Sequence, residues 1–125
     1  MEFQRYSIFA FMPTVTCETN CFSISNPIAI HLMKDVVTKI DVDIQAYEIP
    51  LDYIIQLRTP QEGCFRVLND FLFPDERGCV DLTIHVVSST VTIIHPGDVL
   101  CHLQLIPGRF LTGKFMFNKV VLSVS

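Results

Sequence analysis

Charge is scarce in this sequence: 18% of its 125 residues are Asp, Glu, Lys or Arg, while 50% are apolar, and the mean hydropathy is +0.41. Such a chain is excluded from the intrinsically disordered class, which is rich in charge and poor in apolar residues. Long apolar runs are missing as well. No stretch approaches the ~18 uncharged apolar residues that cross a bilayer, so no integral membrane segment is expected. Basic residues are outnumbered nine to thirteen, which argues against binding nucleic acid through a basic surface. Met1-Glu2-Phe3-Gln4-Arg5 lacks the layout of a secretory signal. Together with an odd number of cysteines, five, this points to a reduced, intracellular context with buried free thiols. Cys17 and Cys21 have no second Cys/His pair at zinc-finger spacing, and the four histidines are scattered, so neither a metal nor a cofactor is expected. A Gly-rich phosphate loop, HExxH, GxSxG and a recognisable Cys/His/Asn grouping are all absent.

What is present is one domain's worth of apolar residues, with some to spare. A soluble chain of this size buries roughly two-thirds of its extended surface, and the apolar half exceeds what such a core absorbs. A subunit interface is the natural place for the surplus. Charge is also unevenly placed. After Leu105 come Arg109, Lys114 and Lys119 without an acid, a balance of +3, while the other six bases and thirteen acids leave −7 elsewhere. Pro107-Gly108 reads as a hinge, which divides the chain into a domain at 1–106 and an apolar, basic tail or arm at 107–125.

Period-two alternation dominates the first part. Ile40, Val42, Ile44 and Ala46 alternate with Asp41, Asp43 and Gln45, which predicts a half-buried strand. The same pattern predicts strands over 80–86, with Val80, Leu82, Ile84 and Val86 inward, and over 99–105, with Val99, Cys101, Leu103 and Leu105 inward. Shorter β-branched runs at 53–58 and 90–94 lie between turn residues such as Pro60, Asn69-Asp70, Ser88-Ser89 and Pro96-Gly97-Asp98. Ile30 to Lys39 is the best helical candidate, and Val36, Val37 and Thr38 weigh against it. The expected class is all-β, a jelly-roll-like sandwich or barrel with a C-terminal arm strand. By itself, Gly97-Asp98 predicts a two-residue hairpin turn.

Pro74-Asp75-Glu76-Arg77-Gly78, a strand, a Ser-Ser turn, a strand, and then Gly97-Asp98 before an apolar strand ending Leu105-Ile106-Pro107 together resemble the third and fourth motifs of the trimeric dUTPases. The resemblance extends from about Asn20 to Leu105. It implies a dUTPase-like fold, a homotrimer and an exchanged arm. It also implies that the catalytic groups are gone. Where the family carries the carboxylate that activates water stands Phe73, which accepts no proton, and where it carries a Tyr under the deoxyribose stands Glu76. The first motif falls on Asn20-Cys21-Phe22-Ser23-Ile24 without its Asp, and the second is at best Arg58-Thr59. In the fourth, Val99 and His102 replace Arg and Gln, and no Gly-rich fifth motif comes after Pro107. Arg58, Phe73, Glu76, Arg77, Gly78, Gly97, Asp98 and His102 would then be a vestigial nucleotide site.

Length and eroded motifs together are similar to the adenoviral early-region-four dUTPase-like regulators. That likeness implies a non-enzymatic protein of the host cell cytoplasm, with the nucleus as a second location, that binds host signalling proteins of the phosphoinositide 3-kinase pathway. Recognition by a PDZ domain is doubtful, because Ser125 offers little to an apolar pocket. Phe115, Phe117, Lys119, Val120, Val121, Leu122 and Val124 are the candidate protein-binding residues, because all of them but Lys119 are too apolar to stay in water. Two alternatives stand beside this reading: a divergent dUTP pyrophosphatase or nucleotide-binding protein using Asp75, Glu76, Asp98 or His102, and a structural, self-assembling viral β-sandwich.

Overall fold

The computed structural model describes residues 1–61 and 63–108. Arg109, Lys114 and the candidate binding residues Phe115 to Val124 lie outside them. Eleven strands succeed one another in order: β1 (Glu2–Arg5), β2 (Thr14–Val15), β3 (Cys21–Ser25), β4 (Ile30–Leu32), β5 (Thr38–Tyr47), β6 (Tyr53–Arg58), β7 (Phe65–Val67), β8 (Phe71–Leu72), β9 (Val80–Ser88), β10 (Thr92–Ile94) and β11 (Val99–Pro107). Among the described residues there is no helix, and so none long and apolar enough to cross a membrane. The helical candidate at 30–39 resolves into β4, a turn at Asp35 with φ of 60°, and the start of β5. Its β-branched residues favour the extended backbone.

The strands pair antiparallel in three sheets, ordered β1-β5-β9-β7, β2-β3-β11-β6-β8 and β10-β4. One core lies between them. Ile40, Val42, Ile44 and Ala46 of β5 and Leu82, Ile84 and Val86 of β9 are buried together with Ile24, Ile55, Leu57 and Leu103 of the five-stranded sheet. Alternation in β5 and β9 thus translates directly into an inner and an outer face.

Two sequence expectations fail here. In β11 the register shifts between Val99 and Cys101, so Val99 is 38% exposed and Leu100 fully buried. One extra residue reverses the face of the residues before it. Gly97-Asp98, moreover, joins no hairpin, because β10 pairs with β4 while β11 lies between β3 and β6 in another sheet. The turn is held from a distance. Gly97 N donates to Asn26 O at 2.7 Å, and Asn26 N to Asp98 O at 2.9 Å. Asn26 is fully buried, and its side-chain amide donates to Ile28 O. At the far end β11 runs to Pro107, opposite Tyr53. Gly108 N donates to Asp52 O, so the position read as a hinge is fastened to the domain.

Candidate functional site

At the centre of the five-stranded sheet, cross-strand register places Ser23 of β3, His102 of β11 and Arg58 of β6 side by side. Directly opposed residues in antiparallel strands project from the same face, so these three form a polar row. Ser23 Oγ and His102 Nδ1 share a hydrogen bond of 3.2 Å. Arg58 Nη2 donates to Glu18 Oε1 at 3.2 Å and to Cys21 Sγ at 3.1 Å. The guanidinium is therefore already engaged by a carboxylate before any anion arrives. Ser23 stands at the first-motif Asp position and His102 at the fourth-motif Gln position of the resemblance, so two departures from that pattern touch each other.

Arg58, Asp98 and His102 line a cleft of about 790 Å³, together with Thr16, Cys17, Glu18, Cys64 and Ile93. Asp98 belongs to it through the turn, where its Oδ2 accepts from His95 N at 2.8 Å. Gly97 lies in the same turn, with φ of 89°.

Phe73, Glu76, Arg77 and Gly78 line a different groove, of about 410 Å³, walled on its other side by residues 49–54. Asp75 organises this segment. Its Oδ1 accepts from Arg77 N at 2.9 Å and from Cys79 N at 3.0 Å. Those two N–H donors, Cys79 first, hold its carboxyl below the usual carboxylate range. Gly78 adopts φ of 76°, and a Cβ there would lie 2.6 Å from Ile49 O. Glycine is thus required by backbone against backbone. Phe73 is 52% exposed at the groove.

The eight sequence-predicted residues are all on or beside these two concavities, and no single one gathers them. Asp75 and Glu76 are likewise separated from Asp98 and His102, so the four do not share one turn as a metal or proton-transfer group. Among the described residues no cluster of three His, Cys, Asp or Glu side chains is placed to hold a metal ion. The expectation of buried thiols holds for Cys21 and Cys101 alone. Cys17 and Cys64 are exposed and Cys79 half-buried, because the first two sit in loops and not on core-facing strand positions. Burial pushes the Cys101 thiol up to about 12. Sequence reasoning missed Glu18 and Asn26, whose partners are 40 and 72 positions away in the chain; no local pattern signals either.

No protein-family model matches the chain, and no curated protein matches it in sequence. Solved structures do match. The dUTPase of Staphylococcus aureus phage phi11, in a study describing coordination of a structural Mg(II) ion, superposes with a TM-score of 0.71 at 16% identity, over 85% of this chain and 89% of that one. The dUTPase of Staphylococcus bacteriophage 80alpha, bound to dUpNHpp, gives 0.70 at 14% identity over 85% and 81%. At this identity the likeness establishes the fold: the described domain has the dUTPase fold.

Proposed function

We propose that this chain is a catalytically inactive dUTPase-fold protein that acts as a homotrimeric binding scaffold for host signalling proteins in the cytoplasm of a virus-infected cell. One observation carries the loss of activity. Phe73, at the position of the water-activating carboxylate in the resemblance, presents a half-exposed phenyl ring to its groove. A general base is worth about 10²–10⁴ in rate, and the one cation at the second-motif position is already paired with Glu18.

Separation of the candidate residues into two concavities supports the trimer, because only a second copy could bring one group against the other. Exposed apolar side chains support it too. Ile8 and Phe9 are 81% and 72% exposed on one loop, the kind of surface that marks an interface. The finer likeness, to the adenoviral early-region-four regulators and their phosphoinositide 3-kinase pathway partners, is supported by sequence pattern and length.

Incubation of the pure protein with dUTP and Mg²⁺ tests the reading. The expected result is no pyrophosphate release above buffer. Turnover at an enzyme's usual ~1–10³ s⁻¹ would overturn it. Affinity capture from host-cell extract should return host signalling proteins, and recovery of only this chain would favour the self-assembling structural alternative.

A further inference from the structure

Thr59 follows β6 directly and is exposed, as is Gln61 just beyond it. Of the seven prolines in the sequence only Pro60 comes after a serine or threonine. Proline lacks an N–H, fixes its own φ and holds the residue before it extended, and these are the features that a proline-directed protein kinase reads around its acceptor hydroxyl. Thr59 therefore sits in the one such pair of the chain. Its Oγ1 accepts from Val67 N at 3.0 Å, a bond that positions the oxygen without using its own hydrogen.

The surroundings show what a phosphoryl group on Thr59 would meet. Thr59 and Arg58 line the same cleft, with Glu18 and Asp98 as its acids, His102 as its imidazole and Cys17 and Cys64 as its thiols. Arg58 is paired with Glu18, whose side chain is 55% exposed, and its Nε is buried without an acceptor among the described residues. A buried donor left unpaired carries a desolvation cost. Phosphoryl oxygens, which carry close to two negative charges, are stronger acceptors for a guanidinium than a single carboxylate.

We propose that Thr59 is a phosphorylation site for a proline-directed protein kinase, and that the new phosphoryl group takes Arg58 from Glu18. In the transfer, Thr59 Oγ1 bonds to the γ-phosphorus of ATP while the bond from that phosphorus to the oxygen shared with the β-phosphate breaks. ADP leaves with the electron pair, and the hydroxyl proton passes to a base of the kinase. The cleft gains negative charge, and Glu18 is released to solvent. That the kinase belongs to a host cell rests on the proposed function, whereas the acceptor and its contact with Arg58 rest on sequence and geometry alone.

Incubation of the full chain with ATP and a purified proline-directed kinase of the mitogen-activated class tests the inference. Intact mass should rise by one phosphoryl group per chain, and fragment masses should place it on Thr59. Thr59→Ala and Pro60→Ala should each abolish incorporation, while Thr59→Ser, which keeps a hydroxyl before Pro60, should retain it. Phosphorus NMR then reads the contact. The second ionisation of the phosphoryl group, near pH 6 when exposed and unpaired, should move up by roughly half a unit in Arg58→Gln, the scale of one exposed charge contact. No incorporation, incorporation elsewhere in the chain, or incorporation indifferent to Pro60→Ala would overturn the site, and a titration indifferent to Arg58→Gln would overturn the contact. The dUTP assay is independent: turnover would sink the proposed function and leave this outcome to be read on its own.

Discussion

Tyr6 shows how a surface residue acquires a distinct chemistry from one partner. Its hydroxyl donates to Asp81 Oδ1 at 2.6 Å, and that hydrogen bond, reinforced by the carboxylate's charge, pushes the phenol up to about 12 from an ordinary value near 10. The sign is clear. A group whose folded value is raised contributes stability that is complete below pH ~10 and is lost as pH rises toward 12. Absorbance titration should therefore show a late tyrosine step near pH 12 that Tyr6→Phe deletes, and an unchanged curve would refute the contact. Gly78 makes a harder demand. With φ of 76° and Ile49 O only 2.6 Å from an added Cβ, Gly78→Ala should cost roughly 2–3 kcal/mol in urea unfolding. Arg77-Gly78 was legible as a motif; that the glycine is required by Ile49, some thirty positions earlier, was not.

At the scale of the strand, two irregularities had opposite effects on what alternation could tell. In β5 the pairing passes from Asp41↔Thr83 to Gln45↔Asp81, so β5 advances four residues while β9 advances two. Two extra residues leave side-chain parity intact, and Ile40 to Ala46 remain inward as the pattern predicted. In β11 the pairing passes from Val99↔Ser25 to Cys101↔Ile24. A single extra residue reverses parity. Leu100→Ala should consequently cost about 2–5 kcal/mol, like other buried large-to-small changes, whereas Val99→Thr should stay within about 0.5 kcal/mol. Chemical denaturation of both variants checks this, and the reverse ranking would restore the simple alternation. Bulges of this kind form where the partner strand and the incoming turn require them, here the Gly97-Asp98 turn tied to Asn26, and β11's own residues carry no mark of it.

For the whole molecule, the apolar excess in the composition has a visible location. Ile8, Phe9 and Leu51 stand in solvent on the isolated chain, and covering such side chains is worth about 25 cal/mol per Å². Sedimentation at micromolar concentration should give three times the chain mass of 14.2 kDa. A monomer would remove the assembly from the proposed function. The two separate concavities matter at this scale as well, since the candidate residues read as one site in the sequence are divided between two of them within a single chain.

The sequence alone determined the class and the position of the long strands, because inward and outward alternation is a local property that each segment carries in its own side chains. Strand pairing was decided only in three dimensions, and with it the fate of Gly97-Asp98 as a sheet-to-sheet turn, the Glu18–Arg58 and Ser23–His102 contacts, and the division of the candidate site. Each of these depends on hydrogen bonds and packing between residues far apart in the chain, and those are settled by burying one shared core.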